Sequence, residues 1–374
     1  MKNSGRSSLT RLLHHRVEIE GARPSVTPLF QNSAFEAGSP HFYTRKSNPN
    51  SVELEESMAI LEEATFCTAV STGMAAIQCV LNLLRPGETL VVDEYLYGCS
   101  FRHFERFTER LGLKFIVADL ADPNALAKLP EDSRMIFFET PTNPFLKTIS
   151  IRAVRERFAQ AKRPPIIVVD NTWATPLYQK PLQHGADVSL HSATKYVSGH
   201  SDVMGGLVLT SDAALDQFFK DERFYGGCVM DPHSAWLLRR SLQTLDLRVR
   251  AQTASTLQMK EFLEGLKWVG KVYFPEVDGN QLVAYGGIVF FELASPYRDR
   301  YVEFRDALEI FGTGTGMACV TSMVAQPYTG SHASMDDAAK SRMGLDKSLV
   351  RLCFGLESVD DLKADLMAAF ARLG

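Results

Sequence analysis

The clearest pattern in the chain is a series of short apolar runs that alternate with helical stretches from about Ser51 onward. GMAAIQCVLNLL (73–84) and RAVRERFAQA (152–161) are two such helical stretches. The runs that predict strands are TLVVDEY (89–95), LKFIVADL (113–120), RMIFFET (134–140), PIIVVDNT (165–172), DVSLHS (187–192) and GGLVLTS (205–211). Continuous apolar strands that alternate with helices are typical of a parallel sheet with both faces covered. We therefore predict an α/β domain whose ligand site lies at the carboxyl ends of the strands.

The pattern changes after Pro232. A long helix is predicted over 234–263, followed by the strand YGGIVFFEL (285–293) and by another helix. A final amphipathic helix carries apolar side chains on one face, namely Leu362, Leu366, Phe370 and Leu373. This half of the chain predicts a smaller α+β domain.

The first fifty residues show neither of these patterns, because they are polar and interrupted by prolines. They predict an arm with few periodic positions. The predicted organisation is therefore an arm over 1–50, a large domain over 51–233 and a small C-terminal domain over 234–374.

Composition narrows the class of protein. The chain has 374 residues, is 45% hydrophobic and carries a net charge of −4, so it has material for a large core and no basic excess for nucleic acid. Its six cysteines form no CxxC pair, which argues against a zinc site and a disulfide framework. The first residues contain no apolar core of signal-peptide length, and no window is long enough to span a bilayer. We expect a cytoplasmic protein with no metal, membrane or nucleic-acid partner.

Polar residues follow several of the predicted strands and are candidates for chemistry. Lys195 lies in SLHSATKYVSGHSD, where an amine beside a buried strand end is costly unless it acts as a nucleophile; a surface turn is the alternative. Asp170 ends PIIVVD and is either a functional carboxylate or a cap for the next turn. Asn143 follows RMIFFET in an Asn-Pro pair that also reads as a plain turn. Tyr97 follows another strand, where packing is an alternative role.

A helix start completes this set of residues. Ser71 to Met74 opens an apolar helix, and exposed backbone N–H groups there favour an anion, although a Thr N-cap is common at any helix start. An amine, a carboxylate, an anion site and an aromatic ring at one rim match the needs of pyridoxal 5'-phosphate (PLP). PLP requires an amine for its aldehyde, a carboxylate for its pyridinium nitrogen, an anion site for its phosphate and a flat partner for its ring.

The chain also resembles the Cys/Met-metabolism family of PLP enzymes, which includes cystathionine γ-synthase, the cystathionine lyases and methionine γ-lyase. The resemblance extends from about Val26 to the C-terminus. The motifs that carry it are YTRKSNPN, STGMAAI, YGCS, ETPTNP, VVDNTWATP, HSATKYVSGHSD, YGGIVFFEL, SHASM and LVRLCFGLE. It implies fold-type I, the aspartate aminotransferase-like α/β fold, with a mixed, mostly parallel sheet in the large domain and a smaller α+β domain.

The resemblance assigns cofactor roles to individual residues. It implies that Lys195 binds the PLP aldehyde covalently, that Asp170 keeps the pyridinium protonated, and that Tyr97 stacks on the ring and shuttles protons. Asn143 would hydrogen-bond the phenolate oxygen. The phosphate would be bound by backbone N–H groups and hydroxyls of Gly73, Met74, Ser192 and Thr194.

The resemblance also implies an oligomer. Tyr43 and Arg45 would reach the phosphate of a neighbouring subunit, which requires at least a dimer with shared active sites, and two such dimers commonly form a tetramer in the family. Arg351 would bind the carboxylate of an amino-acid substrate, for which a guanidinium is suited.

Departures from the family pattern bear on the reaction. Cys99 in YGCS is similar to methionine γ-lyase, although a small buried residue is an alternative reading. The segment GTGTGMACVTSMVAQP (312–327) differs from the family's substrate loop: Gly316 falls where the family has a serine, and Thr313 or Thr315 is a candidate replacement. We therefore expect a remodelled substrate loop.

The family supports several reactions on the same residues. We expect γ-elimination on a γ-substituted L-amino acid, with a non-standard substrate such as an unsaturated γ-halo amino acid, which would give an alkyne. The alternative is γ-replacement, as in cystathionine γ-synthase or an O-acylhomoserine sulfhydrylase. A non-catalytic member that binds PLP is an alternative of another class.

Overall fold

The structure is a computed structural model that describes residues 6–19, 21 and 24–374. Its helices are α1 (Ser8–His14), α2 (Pro49–Glu62), α3 (Gly73–Leu81), α4 (Gly98–Leu111), α5 (Pro123–Ala127), α6 (Ile151–Arg157), α7 (Thr175–Tyr178), α8 (Ala213–Gly226), α9 (Pro232–Leu242), α10 (Leu245–Glu264), α11 (Tyr301–Asp306), α12 (Asp337–Arg342) and α13 (Val359–Ala371). Its strands are β1 (Phe66–Val70), β2 (Thr89–Asp93), β3 (Lys114–Ala118), β4 (Ser133–Glu139), β5 (Ile166–Asp170), β6 (Val188–Ser192), β7 (Gly206–Thr210), β8 (Val269–Tyr273), β9 (Ile288–Leu293), β10 (Gly312–Thr313), β11 (Met323–Ala325) and β12 (Leu349–Cys353).

The backbone forms two compact units. The first combines the described residues up to Arg85 with Ile151–Asp246, and the second combines Pro86–Ser150 with Leu247–Gly374. The division into an arm, a large domain and a small domain at residues 50 and 233 remains a prediction, because compactness alone does not delimit a folding domain.

The first unit contains four strands in the order β1-β7-β6-β5. Strand β7 is antiparallel to both β1 and β6, whereas β5 and β6 are parallel, with Asp170 in register with Leu190. Because parallel strands end at the same edge of a sheet, Asp170 and Ser192, the last residues of β5 and β6, lie at one edge. This edge is where the sequence predicts a ligand site.

The arm is attached to the first unit through its backbone carbonyl groups. The indole Nε1 of Trp236 donates to the carbonyl of Thr27 at 2.9 Å, and the guanidinium of Arg239 donates to the carbonyls of Leu12 and His15 at 3.0 and 2.8 Å. Asn50, in the first turn of α2, donates to the carbonyl of Pro28 at 2.9 Å. The arm has few periodic positions, and these polar side chains hold it in place.

The second unit contains two separate groups of strands. Strands β3, β2 and β4 are parallel neighbours, and a five-stranded sheet has the order β10-β11-β12-β9-β8. The rings of Phe291, Phe304 and Phe370 pack against one another in the core behind the five-stranded sheet. The predicted amphipathic face of the last helix is confirmed, since its apolar side chains are all buried: Leu362, Leu366, Phe370 and Leu373.

The predicted apolar runs between residues 89 and 211 all form strands, β2 to β7. One helix prediction was wrong: the stretch 234–263 is not one helix but two, α9 and α10, separated by Gln243 and Thr244. The N–H groups of both residues bond to carbonyls three positions earlier, those of Arg240 and Ser241, at 3.2 Å. Such bonds tighten the last turn of a helix and end its regular ladder.

No helix among the described residues combines the length and the apolar character required to cross a bilayer.

Candidate active site

Lys195 lies in the turn that follows β6 in the first unit. Its backbone N–H bonds to the carbonyl of Ser192 at 3.1 Å, and its carbonyl accepts from Gly199 at 2.7 Å. The neighbouring side chains Tyr196 and Val197 are buried, while Lys195 itself is half-buried. The turn therefore presents the lysine at the carboxyl end of the strand, as the sequence predicts.

The start of α3 is packed directly against this strand end. A Cβ added to Gly73 would lie 2.9 Å from the Cβ of Ser192, and one added to Gly206 would lie 2.1 Å from the carbonyl oxygen of Thr72. The hydroxyl of Thr72 caps the helix by accepting from the N–H of Ala75 at 3.0 Å. Only glycine fits at 73 and 206, so the first N–H groups of α3 lie beside Ser192 and form a suitable site for an anion.

Asp170 is fixed by the residue two positions later. Thr172 donates both its N–H, at 3.0 Å, and its hydroxyl, at 2.5 Å, to the same oxygen, Oδ1. The hydroxyl of Thr172 in turn accepts from the N–H of Ser192 at 2.8 Å. Burial raises the pKa of Asp170, while the bonds from Thr172 and the charge of His191 lower it. One carboxylate oxygen is thus held in place, and the carboxylate is linked through Thr172 to the end of β6.

The hydroxyl of Thr194 is engaged with the backbone of Gly205. It accepts from the N–H of Gly205 at 3.1 Å and lies 3.4 Å from the carbonyl oxygen of the same residue. A bond from this hydroxyl to a phosphate would replace its weak donation to that carbonyl. The predicted phosphate role of Thr194 therefore requires only a rotation of the hydroxyl hydrogen.

In the arm, Arg45 rests on two aromatic rings. Its guanidinium carbon lies 4.9 Å from the ring centre of Tyr43 and 4.8 Å from that of Phe224, and its Nη1 donates to the carbonyl of Phe224 at 2.9 Å. These contacts hold the predicted Tyr43 and Arg45 pair together on the first unit. Their predicted reach into a neighbouring subunit remains a prediction.

In the second unit, Tyr97 precedes α4 and is held by its backbone. Its N–H donates to Oε1 of the buried Glu139, at the end of β4, at 2.8 Å. Partial burial raises the pKa of the Tyr97 phenol to about 12, and a hydrogen bond with the exposed thiol of Cys99 acts in the same direction. The phenol therefore keeps its proton at neutral pH.

His332 is a site residue for which the sequence analysis predicted no role, although it lies in the SHASM motif. Its imidazole is fully buried, with Nε2 3.0 Å from the carbonyl oxygen of Leu96 and 3.3 Å from that of Asn143. Its Nδ1 lies 2.9 Å from the hydroxyl of Ser331. Burial lowers the pKa of His332 to about 4, so the ring is neutral at neutral pH and donates through Nε2. His332 joins the loop after β2 to the loop after β4.

Asn143 is buried at 3% exposure, and its Oδ1 has no hydrogen-bond partner among the described residues. The surrounding loop is closed by Thr142, whose N–H bonds to the carbonyl of Lys147 at 2.9 Å and whose hydroxyl accepts from the N–H of Lys147 at 3.0 Å. A buried amide that the protein does not saturate is suited to a polar ligand atom.

Arg351 lies on β12 and is buried at 3% exposure. Its Nη2 donates to the carbonyls of Thr315 and Gly316, at 3.2 and 3.0 Å, whereas its Nε has no partner among the described residues. The loop that departs from the family pattern therefore contacts Arg351 through its main chain. The side chain of Thr315 is exposed, and a substrate role for its hydroxyl remains a prediction.

A family model described as "Cys/Met metabolism PLP-dependent enzyme" matches residues 13–371. The chain belongs to this family. It is 34% identical to a cystathionine β-lyase of Lactococcus lactis subsp. cremoris, over 97% of this chain and 98% of that protein. It is 35% identical to an L-methionine γ-lyase of Pseudomonas deceptionensis, over 100% and 98%. The solved structure of cystathionine γ-synthase from Xanthomonas oryzae pv. oryzae with cystathionine superimposes with a TM-score of 0.93, at 35% identity and 98% coverage of each chain.

These similarities confirm the family, the fold and the cofactor. The chain has the fold-type I architecture of PLP-dependent enzymes, and its chemistry is that of a PLP-dependent lyase or synthase of Cys/Met metabolism. Its relatives carry the names of β-lyase, γ-lyase and γ-synthase, so similarity alone does not distinguish among these reactions.

The residues of the first unit fit PLP on their own geometry. The glycine-lined start of α3 beside Ser192 suits a phosphate, and the carboxylate of Asp170 has one oxygen held by Thr172 and a second that bonds to none of the described residues. Lys195 follows the same strand as Ser192 and supplies the amine. Amine, carboxylate and anion site are therefore all present in one compact unit.

Proposed function

We propose that this protein is a PLP-dependent lyase that eliminates the γ-substituent of an L-amino acid. The observation that carries the proposal is the exposed thiol of Cys99 beside Tyr97, whose partly buried phenol has a pKa raised to about 12. A cysteine at this position of YGCS is a resemblance to methionine γ-lyases, and similarity to the P. deceptionensis enzyme over the whole chain supports the same reading.

The roles of the chain's own groups follow from their chemistry. Bound PLP supplies an electron sink for negative charge at the substrate carbons. With PLP bound, the amine of Lys195 would accept the Cα proton and carry protons between carbons. Tyr97, whose phenol has a pKa of about 12, holds a proton at neutral pH and delivers it to the departing sulfur. We assign phosphate binding to Gly73, Met74, Ser192 and Thr194, the ring nitrogen to Asp170 and the phenolate oxygen to Asn143.

We assign the substrate carboxylate to Arg351. Its Nη2 is anchored by the carbonyls of Thr315 and Gly316, which fixes the plane of the guanidinium, and its buried Nε has no partner among the described residues. A planar, pre-oriented donor pair is suited to a carboxylate. The main chain of the 312–327 loop would then set the orientation of the substrate through Arg351.

A product assay tests the proposal. Holo-enzyme is incubated with methionine, with cystathionine, and with O-acylhomoserines in the presence and absence of cysteine or sulfide, and products are followed by mass spectrometry. A 2-oxo acid and ammonia formed without added thiol are the expected result. No product from any amino acid, with PLP fully bound, would favour the non-catalytic alternative and contradict the lyase.

γ-Replacement is the second candidate, because similarity to the X. oryzae cystathionine γ-synthase is as high as similarity to the γ-lyase. In replacement a thiol adds where the leaving group departed, and the same residues serve both outcomes. If a thioether forms only when an acylhomoserine and a thiol are both present, the function is γ-replacement and not γ-elimination.

The identity of the γ-substituent is a separate part of the proposal. The 312–327 loop departs from the family pattern, so we extend the panel to an unsaturated γ-halo amino acid, whose elimination would give an alkyne. None of the relatives named above carries a halide substrate in its name. If the halide is turned over at least as well as methionine, the loop is assigned to that substrate. If the halide is inert, thioethers remain as the proposed substrates.

We further propose that the enzyme is at least a dimer with shared active sites, assembled into a tetramer. Tyr43 and Arg45 support this, because two functional side chains are held on an otherwise irregular arm. We also propose a cytoplasmic location, since all six cysteines are free thiols. Light scattering of the purified holo-enzyme and thiol titration of protein extracted without reductant test the two statements.

A further inference from the structure

Glu62, the last residue of α2, is a completely buried carboxylate at 0% exposure. Its Oε1 accepts from the hydroxyl of Ser189 at 2.5 Å and from the amide Nδ2 of Asn171 at 3.2 Å. Its Oε2 lies 3.2 Å from Nε2 of His191, which is itself buried. All three partners come from a different part of the sequence, more than a hundred residues later.

Two of the three partners flank residues assigned to the cofactor. Asn171 directly follows Asp170 at the end of β5, and His191 directly precedes Ser192 at the end of β6. Asn171 also closes a reciprocal pair with Gln179, since each side-chain amide nitrogen donates to an oxygen of the other residue at 2.9 Å. A single carboxylate therefore joins the ends of the two strands that carry the PLP-binding groups.

A packing role alone does not explain a charge at this position. Burying a carboxylate costs free energy that an apolar side chain of similar volume would not, and only well-placed donors offset the cost. Here the donors are a hydroxyl and an imidazole on β6 and the amide of Asn171, the residue that follows β5. Removing the carboxylate would leave these polar groups buried without their acceptor and would release the strand ends from each other.

We propose that Glu62 is a positioning residue for the cofactor. Its carboxylate holds the end of β5, where Asp170 lies, next to the end of β6, which Ser192 closes and Lys195 follows, in the arrangement that PLP requires. This inference rests on the proposed roles of Asp170 and Lys195. Glu62 itself contacts neither PLP nor substrate and acts through Asn171, Ser189 and His191.

The contacts around Asp170 also affect whether its carboxylate is ionised. Asp170 must be ionised to keep the pyridinium protonated, yet its burial raises its pKa. The bonds from Thr172 and the electrostatic effect of His191 lower that pKa again. Because Glu62 contacts His191, the carboxylate also fixes the imidazole that acts on Asp170.

The test compares E62Q with E53Q. Glu53 is a matched control, because it is a second buried carboxylate on α2 and its ion-pair partner, Arg239 at 3.3 Å, lies on α9 rather than on β5 or β6. Apoprotein of each variant is titrated with PLP, and the visible absorption band of the bound cofactor is recorded. We expect E62Q to bind PLP about tenfold more weakly than the wild type, the scale of a lost charged hydrogen bond, and E53Q to stay within about twofold.

The spectrum separates positioning from general destabilisation. The band of E62Q should move in the same direction as that of D170N, because both changes disturb the contact between the carboxylate of Asp170 and the pyridinium, whereas the band of E53Q should match the wild type. If E62Q does not fold, H191N serves as the second variant, and its PLP absorption band should move in the same direction as that of D170N. An unchanged band and a PLP affinity within twofold of the wild type in E62Q, or in H191N, would overturn the inference.

The outcome for D170N distinguishes this inference from the proposed function. If D170N binds PLP with the wild-type affinity and spectrum, the assignment of Asp170 is wrong and the proposed function fails with it. If D170N is impaired and E62Q is not, the proposed function stands and only the role of Glu62 is contradicted.

Discussion

His332 bonds the main chain on which Asn143 lies: its Nε2 is 3.3 Å from the carbonyl oxygen of Asn143 and 3.0 Å from that of Leu96, which precedes Tyr97. One neutral imidazole therefore joins the loops that carry two residues assigned to the cofactor. The close approach at Gly98, where an added Cβ would lie 2.6 Å from the carbonyl oxygen of Ser331, fixes the same region sterically. Tyr97 and Asn143 are thus placed by residues that take no part in the chemistry.

We predict that H332A lowers both stability and turnover. The change leaves two buried carbonyls without their donor, which costs about 1–3 kcal/mol of unfolding free energy. Turnover should fall further than this loss of folded protein explains, because Tyr97 is no longer held. H332Q, which can still donate to a carbonyl, is the control and should recover part of kcat. Equal kcat in H332A and the wild type, measured on folded protein, would show that the contact does not position Tyr97.

The lowered pKa of His332 predicts an acid-sensitive fold. Its folded value of about 4 lies below the ordinary value of 6.5, so between these pH values the unfolded chain binds a proton here and the folded chain does not. The contribution of this group is therefore complete above about pH 6.5 and is lost as the pH falls toward 4, by on the order of 3 kcal/mol. Denaturant unfolding of the wild type and of H332Q across this window measures the difference. If the unfolding free energies of the wild type and of H332Q change with pH in parallel, the prediction is wrong.

We predict that C99A shifts the pH dependence of turnover. The hydrogen bond with Cys99 helps to raise the pKa of Tyr97 to about 12, so its removal lowers that pKa. If Tyr97 donates a proton to the leaving group, activity then declines at a lower pH on the alkaline side. Y97F should lose about 10²–10⁴-fold in kcat, which is the usual worth of a general acid. An alkaline limb that C99A leaves unmoved would exclude either the contact or the acid role.

We predict that R351K is not a conservative change. A lysine carries its donors on a single nitrogen, so it cannot hold the carbonyls of Thr315 and Gly316 and also present a planar pair of donors to a carboxylate. We expect kcat/KM to fall by at least about 30-fold, equivalent to about 2 kcal/mol, the low end for truncating a buried charged pair. PLP affinity, measured in parallel, should stay unchanged, and a matching loss of PLP binding would mean that Arg351 serves the cofactor instead.

Shared active sites predict complementation between two inactive variants. In a mixed dimer of K195A and R45A, one site combines an intact Lys195 with Arg45 of the partner chain, whereas each variant alone has no complete site. Mixed and refolded or co-expressed subunits should therefore regain activity that neither variant shows alone. Activity of the mixture equal to the average of the two separate variants would show that each site is built from one chain.

Much of the fold follows from the apolar pattern alone. Strands β2 and β4 to β7 are almost entirely buried, so each appears as a continuous apolar run, whereas β3 is apolar in sequence but partly exposed. The last helix shows its buried face at every turn. The break at Gln243 and Thr244 was not predicted, because the hydrophobic spacing continues through it and no glycine or proline marks the end of α9.

The candidate site was predictable in part. Lys195, Asp170 and Gly73 lie at or just beyond the ends of strands or at the start of a helix. A polar or small residue there interrupts an apolar run, so the sequence alone identifies these positions as candidates. Glu62 and His332 gave no such signal, because their partners are distant in sequence: 127 residues separate Glu62 from Ser189, and 236 separate His332 from Leu96. A buried polar residue is recognised as such only when the fold brings its donors and acceptors to it.

The most direct test of γ-elimination is the fate of cystathionine, a substrate that can be cleaved on either side of its sulfur. Holo-enzyme, cystathionine and water are incubated without any thiol, and the amino-acid and 2-oxo-acid products are identified by mass spectrometry. Cleavage at Cγ gives cysteine, 2-oxobutanoate and ammonia, which is the result that we predict. Pyruvate, homocysteine and ammonia would show cleavage at Cβ and would contradict the proposed reaction.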